Sequence, residues 1–361
     1  MIIESMELKN FRNYRELQLH FDAKTNIFYG DNAQGKTNIL EAVYLSGTTK
    51  SHKGSRDRDM ILFGEDEGHL RTFVKKGEIE YQIDIHLKKN KTKGIAINGV
   101  PIRKASELFG IANFVFFSPE DLSIIKQGPG ERRRFLDMEL CQLDKVYLHH
   151  LANYNRIVVQ RNKLLKDLSF RPELKDTLDI WDIQMAEYGK KIIESRNAFI
   201  ESLGEIIRGI HEKISGGKEE LTLSYEKHVG AEELYDAITR SRDRDIRMKT
   251  SNVGPHRDDL MFAIGGVDIR KFGSQGQQRT AALSLKLAEI ELVKQVIHDT
   301  PVLLLDDVLS ELDHNRQNYL LDSIHDIQTM ITCTGLDEFV NHRFSINRVF
   351  RVVEGAVYSG N

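Results

Sequence analysis

Cysteine is almost absent from this 361-residue chain, with only Cys141 and Cys333 present. Two thiols in a chain this long give no disulfide framework, which suits a reducing cytosol. Long apolar runs are missing too: no stretch approaches the ~18 apolar residues of a membrane span. The N-terminal M-I-I-E-S-M-E-L-K is interrupted by Glu4 and Glu7 and lacks the basic flank and apolar core of a signal peptide. A soluble cytoplasmic protein with no membrane partner is expected. Nor does one sign of charge dominate, since 51 Lys and Arg face 54 Asp and Glu for a net charge of −3. Any nucleic-acid surface must therefore be a local patch. What remains is an ordinary globular composition, 40% hydrophobic and 29% charged, in a chain long enough for about two domains.

Gly30 to Thr37 reads G-D-N-A-Q-G-K-T, a complete match to G-x-x-x-x-G-K-[ST]. It follows a β-rich run, Thr25-Asn26-Ile27-Phe28-Tyr29, and precedes the helical apolar spacing of Asn38 to Leu45. Strand, loop and helix are the setting a phosphate loop requires. Glycines let the backbone wrap an anion, and amides at a helix N-terminus supply partial positive charge. Gly30, Asp31, Asn32, Ala33, Gln34, Gly35, Lys36 and Thr37 are the nucleotide-binding candidates. Lys36 is placed to reach the β- and γ-phosphates of ATP, and Thr37 to ligate Mg²⁺.

Upstream, alternating apolar residues predict two short strands around a break at Asn10 to Tyr14. Downstream, Thr48 to Gly54 reads as a polar loop, and Leu70 to Ile102 as an antiparallel meander with an Asn98-Gly99 turn. The lysine-rich K-K-N-K-T-K in that meander either faces DNA or is simply solvated. Phe114 to Phe117 is an apolar strand that stops at Ser118-Pro119, after which helical periodicity dominates to Ile214. The expected organisation is an ATPase lobe of residues 1–117 and 290–361 and an inserted, mostly helical lobe of residues 118–289.

Within the inserted stretch, Arg132, Arg133 and Arg134 fall at the start of a helix, where cations oppose the dipole. Either an anionic ligand or an internal anion must compensate. A second basic cluster runs from Arg240 through Arg242, Arg244 and Arg247 to Arg257, interrupted by Asp243 and Asp245, so internal pairing and DNA contact both stay open. Gly273 to Arg279, G-S-Q-G-Q-Q-R, opens a long amphipathic helix running to about Val296 and forms a second anion site. One chain binding one nucleotide has no use for it, but two chains face to face could set it over the partner's γ-phosphate. Val302 to Asp307, V-L-L-L-D-D, is a uniformly apolar strand ending in paired carboxylates. Asp306 is expected beside the metal, and Asp307, with Lys36, is the catalytic candidate that polarises water.

These blocks, in this order, resemble an ABC-type ATPase head of the SMC class. The fold class implied is α/β, a P-loop head of mixed sheet plus antiparallel β meander, with a helical second lobe. The segment K-N-F-R-N-Y resembles the start of such heads and implies Arg12 and Asn13 as nucleotide contacts. Ser274, Gln275, Gly276 and Gln277 correspond to the signature acting in trans, and Ser310 and Asp313 to the D-loop. The signature reads S-Q-G-Q where S-G-G-Q is usual, and the switch position offers Thr332 or Thr334 in place of His. Heptad arms hundreds of residues long are absent, which excludes a full SMC protein.

An armless head with F-S-P-E-D-L, E-R-R-R-F-L-D, G-P-H-R-D-D-L and L-L-D-D-V-L-S-E-L-D resembles the bacterial RecF family. That resemblance implies a weak DNA-stimulated ATPase of recombinational repair, dimeric with ATP, bound to duplex DNA near a single-strand gap or ss–ds junction. RecR and RecO are the implied partners, with RecA loading downstream. Arg132, Arg133, Arg134, Arg242, Arg244 and Arg257 are the DNA candidates. The alternatives are a transporter's ATP-binding subunit, which would need a coupling surface for membrane subunits, a P-loop kinase, which leaves Gly273 to Arg279 unused, and a head that binds ATP without turnover.

Overall fold

The computed structural model describes residues 1–324, 326–336 and 346–360. The chain divides into two units, Met1–Asp121 with Glu289–Asn361, and Leu122–Ala288. The first is assembled from both ends of the sequence, and the second is one continuous insertion.

Unit one opens with β1 (Ile2–Phe11), β2 (Tyr14–His20), β3 (Thr25–Tyr29) and α1 (Lys36–Thr48). β4 (Glu67–Lys76), β5 (Ile79–Lys88), β6 (Gly94–Ile97) and β7 (Val100–Pro101) join the first pair in a six-stranded sheet of order β2-β1-β4-β5-β6-β7. Every pairing in it is antiparallel. Period-two alternation builds it: Ile83, Ile85 and Leu87 are buried while their neighbours are only partly covered. Asn98 and Gly99 both take positive φ, 52° and 77°, as the tight turn between β6 and β7 requires. β8 (Phe114–Phe117) then enters a second sheet.

Unit two runs through α2 (Leu122–Lys126), α3 (Pro129–Leu143), α4 (Lys145–Asp167) and α5 (Leu178–Ser215). α5 is 38 residues long and buries Met185, Ile192, Phe199 and Leu203 along one stripe, ending where Gly216 turns left-handed at φ 66°. β9 (Leu221–Glu226), α6 (Leu234–Arg240), α7 (Arg242–Met248), β10 (Asp259–Ile264), β11 (Val267–Asp268) and α8 (Ile269–Phe272) follow. β10 pairs with β11 in a hairpin and with β9 on its far edge. α9 (Gln275–Ile297) begins in this unit, and its last residues belong to unit one.

The chain then adds β12 (Val302–Asp306), α10 (His314–Ser323), β13 (Thr329–Cys333), β14 (Arg348–Val353) and β15 (Ala356–Gly360) to unit one. The second sheet has the order β15-β14-β3-β13-β12-β8, parallel throughout except for the antiparallel β14–β15 hairpin. Leu303, Leu304 and Leu305 are fully buried, so β12 has no solvated face and its sequence shows no alternation. Each such leucine contributes roughly 1.5–3 kcal/mol of burial. β3 lies between β13 and β14. The loop leaving it therefore opens at the carboxyl ends of parallel strands, where ligands of open α/β sheets bind.

Candidate nucleotide-binding site

The Gly30–Thr37 loop is held in a shape few sequences tolerate. Gly30, Ala33 and Gly35 have φ of 150°, 63° and 114°. A Cβ on Gly30 would lie 2.3 Å from the Val352 carbonyl oxygen, and one on Gly35 would lie 2.4 Å from the Asn13 side-chain nitrogen. Both glycines are thus required by close approach as well as by conformation. Lys36 is only 4% exposed, and its ammonium donates to the carbonyls of Gly30 (2.5 Å) and Asp31 (3.0 Å). Its third N–H is left for a ligand. Asp31, Asn32 and Ala33 are exposed at the mouth of the loop.

Two hydroxyls converge on Asp306 from opposite sides of the chain. Thr37 Oγ1 donates to Asp306 Oδ1 at 2.8 Å, and Thr332 Oγ1 donates to the same oxygen at 2.7 Å. Thr332 also accepts from the Asp307 backbone N–H at 3.0 Å. The alternative at the switch position, Thr334, is exposed. Asp307 sits in the left-handed region at φ 51°, unusual for a residue other than glycine. Burial raises its carboxyl pKa, Lys36 opposes that rise, and Asp306 adds to it. Of the D-loop candidates, Ser310 Oγ donates to the Asp307 carbonyl at 2.9 Å, while Asp313 caps α10 by accepting from Arg316 N–H.

The turn between β1 and β2 covers the loop. Asn13 Nδ2 donates to the Gln34 carbonyl at 3.1 Å, Asn38 donates back to Asn13 Oδ1 at 2.8 Å, and the Tyr14 hydroxyl donates to the Gly35 carbonyl at 3.0 Å. Arg12, expected at the nucleotide, is bonded here to its own chain. Its Nε and Nη2 grip both oxygens of buried Glu41 at 2.7 Å, Nη2 also reaches Ser55, and Nη1 donates to the Asp59 carbonyl. Those bonds fix the turn. Burial pushes the Glu41 carboxyl upward, but hydrogen bonds from Arg12 and Ser51 outweigh it and hold its pKa below the usual value.

In unit two, Ser274 and Gln277 form a reciprocal cap at the start of α9. Gln277 N–H donates to Ser274 Oγ at 3.2 Å, and Ser274 N–H to Gln277 Oε1 at 2.9 Å. Gln275 and Gly276 are exposed beside them. Two of the expected DNA contacts are engaged by internal carboxylates. Arg132 is 1% exposed and forks onto Asp259, with Nε 2.5 Å and Nη2 3.0 Å from its oxygens. The anion that offsets its place at the start of α3 is internal. Arg242 is bound to Asp179 and Asp182. Arg133 is half-buried and donates to the Asp258 carbonyl. Arg134, Arg244 and Arg257 are exposed. Asp245, which interrupts the second cluster in sequence, pairs instead with fully buried Arg161 at 2.7 Å.

Sequence reasoning also missed the turn joining β14 to β15, which touches the phosphate loop. Only its Glu-Gly pair signals a turn, and nothing local says what it meets.

A family model described as RecF/RecN/SMC N terminal domain matches residues 2–356. The "DNA replication and repair protein RecF" of Agathobacter rectalis is 64% identical over 357 residues, covering 99% of each chain. The chain belongs to the RecF family. Two solved structures, titled as the recombination mediator protein RecF-ATPrS and RecF-ATP in the RecFOR pathway, are each 36% identical to it. They superpose with TM-scores of 0.93 and 0.91, the first covering 100% of this chain and 98% of its own, the second 99% and 97%. The α/β head expected from the motif order is the fold observed. A transporter subunit is not favoured, since full-length relatives are named for DNA replication and repair.

Proposed function

We propose that this RecF-family chain is a Mg²⁺- and ATP-dependent DNA-binding protein of recombinational repair and replication-fork maintenance, in which slow hydrolysis acts as the release switch. The observation that carries the reading is the meeting of Thr37 and Thr332 on one oxygen of Asp306, beside Lys36. P-loop NTPases hold the metal with this hydroxyl and this carboxylate. Among the described residues, no group of three or more His, Cys, Asp or Glu could hold a metal. A cation at Thr37 and Asp306 would take its other ligands from phosphate and water, which suits Mg²⁺. Bound there, Mg²⁺ supplies charge neutralisation on the phosphates. Lys36 lies along the β- and γ-phosphates, and Asp307 orients the attacking water and takes its proton on a carboxylate oxygen.

Two chains meet head to head in this reading, each setting Ser274 to Gln277 over the other's γ-phosphate. The solved relatives are described as recombination mediators of the RecFOR pathway, which supports RecR and RecO as partners; RecA loading downstream and a cytoplasmic location complete the proposal. Duplex DNA beside a gap is the polyanion, contacted by Arg133, Arg134, Arg244 and Arg257 and not by Arg132 or Arg242. With little charge excess overall, its affinity should rest on these few cations and weaken as salt rises.

Lys36→Met tests the site. Titration with a fluorescent ATP analogue should show nucleotide binding in the parent and a loss of at least 100-fold in the variant, with DNA-stimulated phosphate release abolished. Equal affinity in the two proteins would refute the assignment.

A further inference from the structure

The backbone N–H groups of a phosphate loop must stay free for the anion, so whatever holds the loop in shape beforehand has to act on its carbonyls and side chains. Among the described residues, none of the N–H groups of residues 31–37 donates to a partner. The acceptors, by contrast, are heavily used, and the donors come from two separate segments outside the loop. Asn13 reaches the Gln34 carbonyl, and Tyr14 reaches that of Gly35. From the turn between β14 and β15, Glu354 N–H donates to Gln34 Oε1 at 2.5 Å, and Gly355 N–H donates to the Gln34 carbonyl at 3.3 Å. Glu354 and Gly355 both have positive φ, 47° and 76°, so the two N–H groups are turned toward the loop by the tight turn itself. The packing leaves no slack: a Cβ on Gly355 would lie 2.8 Å from the Asn13 carbonyl oxygen.

We infer that the Glu354–Gly355 turn, together with Asn13 and Tyr14, is a clamp that keeps the Gly30–Thr37 loop open for phosphate before nucleotide arrives, with Gln34 as the residue it grips. Gln34 occupies a variable position of the phosphate-loop pattern, and its side chain faces the turn rather than the phosphates. Glu354 and Gly355 are therefore positioning residues of the nucleotide site although they lie 320 residues further along the chain. The inference rests on the Mg-ATP reading of that loop. Its energetic form is a population effect: a loop open only part of the time binds with Kd raised by the reciprocal of that fraction. Turnover of nucleotide once bound is untouched.

The test compares four full-length variants by titration with a fluorescent ATP analogue and by steady-state hydrolysis. Gln34→Met keeps length and removes the side-chain acceptor, so Kd should rise about tenfold while kcat at saturating ATP stays within about twofold. Gly355→Val places a branched side chain against Asn13 and should raise Kd at least as far. Glu354→Gly retains the N–H and relaxes the left-handed turn, so it should bind as tightly as the parent. Lys36→Met reports on the site itself. If Lys36→Met loses binding while Gln34→Met and Gly355→Val keep the parent Kd, the clamp is wrong and the nucleotide site stands. If Lys36→Met binds as the parent does, both fall. A loss of kcat without a change in Kd would also overturn the clamp, because it would place Gln34 in the chemistry. Gly355→Val is the variant most exposed to misfolding, and Gln34→Met, partly exposed at a loop, gives the answer without it.

Discussion

Asp306 and Asp307 are neighbours in the chain with opposite surroundings. Asp306 takes two hydroxyl hydrogen bonds on one oxygen, whereas Asp307 is turned into a left-handed conformation and is half-buried, its pKa raised. A strained residue with a desolvated acid is the signature of a group kept for chemistry rather than stability. Asparagine tolerates the left-handed region and carries no charge to desolvate. Asp307→Asn should therefore raise the midpoint of thermal unfolding, by about 0.5–1 kcal/mol of stability, while slowing ATP hydrolysis by 100-fold or more. Nucleotide binding should persist. Differential scanning calorimetry beside a phosphate-release assay checks both halves. A variant less stable than the parent would show that Asp307 is structural, and one with parent turnover would remove it from the mechanism.

Among elements, the segment Gly254 to Asp258 in unit two is densely anchored. Asp258 accepts from the Tyr225 hydroxyl and from His228 N–H, and Arg196 donates to the Pro255 carbonyl at 2.7 Å. His256 lies inside this set. Its Nε2 faces the Ser251 carbonyl at 3.1 Å, so that nitrogen carries the proton, and Nδ1 accepts from the Tyr154 hydroxyl at 2.7 Å. Burial, with Arg257 and Arg133 nearby, lowers the imidazole pKa to about 4 in spite of the Ser251 bond. The unfolded chain takes up a proton near pH 6.5 and the folded one does not until about pH 4, so stability is whole above pH 6.5 and is lost as pH falls through that window. Between pH 7 and pH 5 the loss is about 2 kcal/mol. Urea unfolding at the two pH values, in the parent and in His256→Asn, should give a smaller pH difference in the variant. Equal differences would mean that His256 is charged when folded.

The same region shows how far the sequence could be read. E-R-R-R-F-L-D announces a charged helix start and the need for an anion, but the anion, Asp259, stands 127 residues further on. Charge spacing cannot distinguish a carboxylate brought in by folding from a phosphate brought in by DNA. Arg132 and Arg242 could not be assigned for this one reason. Motifs with a local signature fared otherwise: the phosphate loop, the V-L-L-L-D-D strand and the Asn98-Gly99 turn were legible from their own residues. The Glu354–Gly355 contact lay beyond reach because it is a tertiary approach of two turns.

At the scale of the whole molecule, the proposed head-to-head pair is tested by Ser274→Arg. The Ser274 hydroxyl is exposed and caps only its own helix, so the monomer should bind ATP within about twofold of the parent while ATP-dependent dimerisation, followed by sedimentation, disappears. Mixing Ser274→Arg with Lys36→Met should restore some hydrolysis, because one of the two sites then has both halves intact. A Ser274→Arg protein that dimerises with ATP as the parent does would rule out the sandwich.

The position of β3 between β13 and β14 has a consequence for biosynthesis. The strand that leads into the phosphate loop is made early, yet both of its hydrogen-bonding neighbours lie about 300 residues later. At ribosomal speeds of about 5–20 residues per second, this leaves β3 with two open edges for roughly 15–60 s. Unit two, one uninterrupted stretch, can fold meanwhile. A nascent chain stalled before β13 would hold a complete G-x-x-x-x-G-K-T and no sheet to mount it on. The nucleotide site thereby becomes a late checkpoint of synthesis, and the unpaired strand a point where trigger-type chaperones or proteases meet the unfinished protein.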